Sequence, residues 1–378
     1  MIYLDNAATT PVFPEVVTTI SDTLTHQYGN PSAIYQIGKT AKRQLTNARQ
    51  IIAKSLNVNP ADVYFTSGAT ESNNWALSHL AKQSQGQGNH IVTTAIEHPS
   101  VHEVMQQLET IGFEVTYLEP DSEGTYTVDQ FLSVSTQQTI GWSVMAVNNE
   151  VGSILPIEEL AMAAKQQDYW IHVDSVQAIG HGIFDFGALP VTSFVGSAHK
   201  FNGPKGMGFL VFQSTDKKNA LKPLLHGGGQ ESNQRSGTEN LPYILGMATA
   251  LELTNNYRKD RVSHDTELSE YLYQSLDQAE IDYHRNGPVD SSKLVDYIHS
   301  LWFPGQLASQ LLIKADLNQI ALSAGSACSA GSVQPSRILK AYYPNTPERW
   351  IQSIRISFGW DTTKEDVDAL IQLLIKEL

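Results

Sequence analysis

The chain has 378 residues, a formal charge of −14 and a single cysteine. That length suits a large core and more than one domain, and so acidic a balance argues against a broad footprint on nucleic-acid phosphates. One cysteine excludes an intramolecular disulfide and a cysteine-based zinc cluster. No run approaches the roughly 18 to 20 consecutive apolar residues of a membrane span. The opening "MIYLDNAATTP" has no basic stretch leading into an apolar one, as a secretory signal would, so a cytoplasmic protein is expected.

Taken in chain order, apolar strand-like runs alternate with amphipathic helical stretches, the pattern of an α/β fold with a mainly parallel sheet. Strands are expected at "DVYFT" (62–66), "HIVTTA" (90–95), "FEVTYLE" (113–119), "GWSVMAV" (141–147), "YWIHVD" (169–174), "SFVGSA" (193–198) and "GFLVF" (208–212). Between them, residues 71–83, 99–112 and 157–168 carry apolar side chains at three- and four-residue spacing, which predicts helices. From about residue 241 one long helical stretch leads to a boundary near 255. The last hundred or so residues read as strands and helices again, ending in "KEDVDALIQLLIKEL".

Several strand ends carry residues suited to chemistry. In "FTSGATES" (65–72) a strand gives way to small residues and then a helix, so free backbone N–H groups and the Thr70 hydroxyl can receive an anion. An ordinary helix cap reads the same way, and the lysine and spacing of a P-loop are missing. Asp174 ends the strongly apolar "YWIHVD", where a carboxylate is costly unless a cation or donor meets it. A protonated pyridine nitrogen is such a partner. Lys200, in "FVGSAHKFNGPKGMGFL", stands among small residues between two strand-like runs, the setting of an imine-forming amine. An aspartate opposite a ring nitrogen, an imine-forming lysine and a phosphate cup are together the parts of a pyridoxal phosphate enzyme.

His98 in "AIEHPSV" can stack on a ring and handle protons near neutral pH, though a lone histidine is more often an ordinary loop residue. Asn148 in "VNNEVG" and Gln177 in "DSVQ" have amides able to reach a ring hydroxyl. Cys328 is flanked by serine, alanine and glycine in "GSACSAG", a poor setting for a buried structural thiol and a good one for a thiol that must reach a substrate. Arg355 in "SIRISFG" suits bidentate capture of a carboxylate, with a structural ion pair as the alternative.

The blocks "YLDNAATTP", "GNPS", "FTSGATESNN", "EHPSV", "VNNEVG", "HVDSVQ", "SAHKFNGPKGMG", "HGGGQESNQRSGTEN", "GSACSAG" and "RISFG" follow one another from residue 2 to about 362. In order and spacing the chain resembles the bacterial NifS- and IscS-like cysteine desulfurases of the class V aminotransferase superfamily. That resemblance implies a homodimer whose subunit has a large pyridoxal phosphate-binding domain (15–255) with a mostly parallel seven-stranded sheet. A small α/β domain would be formed by 1–14 with 256–378. It implies Lys200 as the amine that takes the cofactor aldehyde, Asp174 at the pyridinium nitrogen, His98 stacked on the ring and Gln177 at its hydroxyl. Ala69, Thr70, Ser197 and His199 would hold the phosphate, with Thr238 of a partner subunit. Asn148 and Arg355 would meet the substrate, and no metal is called for.

The implied reaction converts L-cysteine to L-alanine and leaves a persulfide on Cys328. That sulfur would pass to acceptor proteins of iron–sulfur cluster assembly or tRNA thiolation; neither nucleic acid nor membrane is a direct partner. A selenocysteine lyase, another enzyme of the same fold, and a cofactor-holding scaffold that docks sulfur acceptors are the alternatives, and "GSACSAG" has no use in an aminotransferase. Two places depart from the family pattern. Tyr35 stands where many relatives have histidine, and residues 293–305 carry Tyr297, Ser300 and Trp302 in place of small or amide residues. Both bear on which acceptor the sulfur meets.

Overall fold

In a computed structural model, residues 1–213, 221–324 and 335–378 are described. The chain starts with a short strand β1 (Ile2–Tyr3), helices α1 (Pro14–His26) and α2 (Gln36–Ser55), and then builds a large sheet. Its members are β2 (Val63–Thr66), β3 (His90–Thr94), β4 (Glu114–Leu118), β5 (Thr139–Met145), β6 (Trp170–Asp174), β7 (Ser193–Ser197) and β8 (Gly208–Phe212). The helices α3 (Ala69–Gln83), α4 (Pro99–Glu109), α5 (Val128–Val134) and α6 (Ile157–Gln166) fall between these strands. The sheet runs in the order β2-β8-β7-β6-β5-β3-β4. Its pairs are parallel except those of β8, which is antiparallel to both neighbours.

Both faces of this sheet are covered, so its strands are apolar throughout rather than alternating with polar residues. Adjacent residues feed opposite cores. Val92, Phe194 and Phe209 join the larger one, while Ile91, Val195 and Leu210 join a second beneath α3 and α4. Continuous apolarity of this kind makes strands easy to find, and each expected strand is present within two residues of its predicted ends. Gly141 marks a close approach between β5 and β6. A Cβ there would lie 2.0 Å from the Trp170 ring, so only glycine lets these strands pair.

Beyond a short turn, α7 (Gln230–Asn233), the long helical stretch is two helices, α8 (Leu241–Asn256) and α9 (Arg258–Gln278). They meet at Tyr257, which closes one and opens the other. The remaining elements are β9 (His284–Arg285), β10 (Ile298–Trp302), α10 (Ala308–Leu317), β11 (Ile320–Ala321), α11 (Arg337–Tyr342), α12 (Pro347–Gln352), β12 (Ser353–Ser357) and α13 (Lys364–Glu377). Here β12, β10 and β9 form an antiparallel sheet. A third core gathers Leu268, Leu301, Ile356 and Leu370 around it and includes Leu4 from the far end of the sequence. Helix α13 begins on a capping box in which Thr363 and Asp366 satisfy each other's backbone N–H groups.

Residues 2–10 tie these parts together. Ile2 pairs with Ile320, Asp5 bridges to Ser357, and Thr10 N–H donates to the His199 carbonyl at 2.9 Å.

Candidate active site

The carboxyl ends of β2, β3, β5, β6 and β7 open on one cavity of about 690 Å³. Ligands of open parallel sheets bind at such ends, because the loops leaving the strands there diverge. The first wall is the start of α3. Gly68 turns the chain with φ +150, a conformation side chains resist, and no side chain caps the helix that follows. Ala69 and Thr70 line the cavity there. A bare Glu71 would repel an anion, but its carboxylate accepts two bonds from Arg235, at 2.8 and 3.1 Å, and one from Ser67 N–H at 2.7 Å. The helix end is therefore left as a positive dipole with its own acid neutralised.

Lys200 follows β7 through one turn of 3₁₀ helix. Its Nζ donates to the carbonyls of Ala7 and Ala8, the latter at 2.9 Å. Burial, and then the positive charge of Arg355, bring its pKa down to about 8. Ser197 and His199 stand on either side of it along the chain and line the same cavity. His199 Nδ1 lies 3.2 Å from Thr9 Oγ1, and burial, with the charges of Lys200 and Lys205, lowers its pKa to about 4. A neutral imidazole is thus presented at neutral pH.

Asp174 is 5 % exposed at the end of β6. Asn73 Nδ2 donates to its Oδ2 at 2.9 Å, and Val176 N–H donates to its Oδ1 at 3.1 Å. Gln177 lines the cavity and donates to the Ala7 carbonyl at 3.0 Å. His98 caps α4, its Nδ1 accepting from Ser100 N–H at 3.1 Å. Burial of its ring, only partly offset by Asp174, holds its pKa below the usual histidine value.

Arg355 is 3 % exposed, on β12, and reaches the cavity from the C-terminal part of the chain. Its guanidinium donates to Asp5 Oδ1 and to the Asn149 carbonyl, both at 2.7 Å, while its Nε is buried with no partner. The ion pair given as the alternative is present, with Asp5, and it engages only part of the guanidinium's five N–H donors.

Asn148 is placed differently from the expectation. Its Nδ2 donates to the Ile96 carbonyl at 3.0 Å and its Oδ1 accepts from Glu150 N–H and Val151 N–H, so its amide is spent on the β5 loop. Its neighbours Asn149 and Glu150 line the cavity instead. Glu150 is fully enclosed, accepts from Ser336 at 2.5 Å, and has its pKa raised by burial. Arg337 also lines the cavity and donates to the carbonyls of Ala95 and Glu97. Neither Glu150 nor Arg337 stood out in sequence, where a lone acid after "NN" and a lone arginine after "QPS" carry no pattern. Thr238 is exposed and outside the cavity lining of this chain, and Cys328 lies outside the described residues.

Of the departing residues, Tyr35 is 60 % exposed at the start of α2. Ser300 accepts from Asn286 at 3.1 Å and Trp302 donates to Gln352 at 3.0 Å, both away from the cavity. Tyr297 comes nearer, donating at 2.7 Å to the carbonyl of Gln177.

Behind this wall Glu97 is wholly buried. Its Oε1 accepts from Thr94 at 2.6 Å and from Met145 N–H at 2.9 Å, and its Oε2 has no partner. Burial pushes its pKa up to about 8, and the nearby Asp174 charge adds to the rise. The folded protein therefore holds a proton that the unfolded chain has released, and stability falls as pH climbs from about 4.5 through 8. Glu97→Gln keeps a carbonyl for the two donors and should remove this fall, on the order of 5 kcal/mol across the window. Thermal melts of both proteins between pH 5 and 9 measure it; parallel curves would refute the assignment.

These residues fit pyridoxal phosphate. A helix end without a side-chain cap suits a phosphate, the Lys200 amine suits an aldehyde, and a carboxylate lining the cavity suits a protonated ring nitrogen. Comparison with known proteins agrees. Residues 2–370 match the family described as aminotransferase class-V. The chain is 39 % identical over 374 residues to a protein of Dictyoglomus turgidum named cysteine desulfurase IscS, covering 99 % of this chain and 93 % of that one. A solved structure titled NifS-like protein superposes with a TM-score of 0.91 at 33 % identity, over 99 % of this chain and 98 % of its own. Another, titled SspA in complex with cysteine, gives 0.81 at 30 % identity, over 95 % and 99 %.

Proposed function

The chain belongs to the aminotransferase class-V family, and we propose that it is a pyridoxal phosphate-dependent cysteine desulfurase that carries sulfur away on Cys328. The observation that carries the reading is the meeting of Lys200, Asp174, His98 and the α3 end around one cavity, in a chain with full-length cysteine desulfurase relatives. Ala69, Thr70, Ser197 and His199 would hold the phosphate, Asp174 the ring nitrogen, Gln177 the ring hydroxyl and His98 the ring face. The chemistry supplied by the bound cofactor is an aldehyde for amines and a protonated ring that takes up electron density.

The protein's own groups do the rest. The Lys200 Nζ, of lowered basicity, would carry the substrate's α-proton. Arg355 would offer the substrate carboxylate the terminal guanidinium N–H groups not already given to Asp5 and the Asn149 carbonyl, while those two acceptors keep the group from swinging. His98 supplies or takes protons at the cavity edge. The Cys328 thiolate attacks the substrate sulfur, so an S–S bond forms as the C–S bond breaks. The departing electron pair ends as a C–H bond of alanine: L-cysteine and a thiol become L-alanine and a persulfide, with no external oxidant.

The finer parts of the reading are a homodimer to which Thr238 is contributed across the interface, and protein acceptors of iron–sulfur cluster assembly or tRNA thiolation in the cytoplasm. The division into a large and a small domain near residue 255 is supported by the separate core around β10 and β12. Val295, Tyr297 and Ile338 nevertheless pack with the larger core, joining the two parts behind the cavity.

Purified protein given L-cysteine and a thiol reductant should release alanine and sulfide in equal amounts, and Cys328→Ala should release neither. Alanine from the variant at the wild-type rate would refute the Cys328 assignment. A selenocysteine lyase would instead turn over selenocysteine and leave cysteine untouched.

A further inference from the structure

Behind Asp174 and His98 a buried polar chain runs from β7 to α4, with Ser193, His172 and Asn73 outside the cavity lining and Ser100 at its edge. His172 Nδ1 lies 2.8 Å from Ser193 Oγ and its Nε2 lies 2.9 Å from Asn73 Oδ1. Asn73 Nδ2 lies 2.9 Å from Asp174 Oδ2 and 2.9 Å from Ser100 Oγ. Ser100 Oγ in turn lies 2.8 Å from His98 Nδ1. Asn73, His172 and Ser193 have no exposed surface at all.

The direction of each bond in this chain is forced. A carboxylate only accepts, so Asn73 must turn its NH₂ toward Asp174 and its carbonyl toward His172. His172 then donates from Nε2. Burial drives the His172 pKa down to about 3, so the ring is neutral and its Nδ1 accepts from Ser193. The second hydrogen of the Asn73 amide goes to Ser100 Oγ, which leaves the serine hydrogen for His98 Nδ1. That nitrogen also accepts from Ser100 N–H. A neutral His98 must then carry its proton on Nε2.

We infer that Asn73 is a positioning residue whose single amide orientation holds Asp174 as an acceptor and fixes His98 as its Nε2–H tautomer. The inference rests on the reading of Asp174 and His98 as the groups that face the cofactor. It explains why an amide stands here: an aspartate in its place would accept from both sides, and an aliphatic residue would leave His172 Nε2 and Asp174 Oδ2 without the partners they now have.

The test uses holoprotein labelled with ¹⁵N-histidine and long-range ¹H–¹⁵N correlation, with His98 signals identified by their loss in His98→Gln. Wild type should show His98 as Nε2–H. In Asn73→Asp, Ser100 turns its hydroxyl to the new carboxylate, so the His98 Nδ1 signal should shift as it loses a donor. Ser100→Ala, a milder change, should shift the same signal and leave cofactor absorbance and retention as in wild type. A wild-type His98 protonated on Nδ1, or Nδ1 signals unmoved in both variants, would overturn the inference. Asp174→Ala separates it from its premise: cofactor retention and absorbance unchanged there would overturn the cofactor-facing reading, whatever the tautomer of His98.

Discussion

Lys200→Ala should reduce alanine release from L-cysteine on the order of 10⁴-fold, the upper end of what a positioned proton-transfer group contributes. The same change removes the amine to which borohydride would fix the cofactor, so the reduced wild type should carry the added mass on the Lys200 peptide and the variant should not. Lys200→Arg is the sharper control, because it keeps a positive charge that is never given up at working pH. If charge at this place were all that mattered, the arginine variant would retain activity; if a neutral amine is required, it should fail as completely as alanine does. The lowered pKa sets a pH dependence as well. Neutral Lys200 gains its share as pH passes about 8, so cofactor-free protein should load faster above that value than below it. Stability should not collapse with activity. The amine is a desolvated cation, and the Ala7 carbonyl keeps its bond from Gln177 when the amine is gone. A large fall in Tm would mark the lysine as structural.

Asp174→Asn should cost on the order of 10³-fold in rate, comparable to the loss of a preorganised charge in other sites, with weaker retention of the cofactor. The substitution is nearly isosteric, so it tests charge rather than shape. It also has a local cost that can be read from the bonds. Asp174 accepts from Asn73 on one oxygen and from Val176 N–H on the other. An asparagine can face only one of them with its carbonyl and must set its NH₂ against the other donor. About 1 to 3 kcal/mol of stability should go with that mismatch. Activity, retained cofactor and Tm measured together tell the effects apart: lost rate with full occupancy indicates an electronic part for the carboxylate. A variant that stays fully active would show that the ring nitrogen meets some other group.

What could be read from sequence follows from how local each cause is. The strands of the large sheet are buried on both faces, and an unbroken apolar run such as that of β8 identifies itself. The residues at their carboxyl ends were legible for the same reason, since a lysine or aspartate at the end of such a run is conspicuous. The break at Tyr257 was not, because "ELTNNYRKD" holds no proline or glycine to mark it. The surroundings of Asn148 were not legible, because its amide bonds to Ile96, Glu150 and Val151, partners that an isolated motif does not reveal. Glu150 and Arg337 were invisible, being made into cavity walls by contacts across most of the chain, as in the bond from Ser336 to Glu150 over 186 positions.

The same long reach governs when this protein can become an enzyme. Asp5 and its partner Arg355 are separated by 350 positions, and the carbonyls of Ala7 and Ala8 wait some 190 positions for Lys200. During synthesis, Ala7 and Ala8 can meet Lys200 about halfway through, whereas Asp5 must wait for Arg355 until nearly all of the chain has followed. Nascent chains halted before β12 should accordingly fold their large sheet yet hold the cofactor poorly. The cavity is thus completed in two stages, its Lys200 contacts first and its Arg355 contacts last.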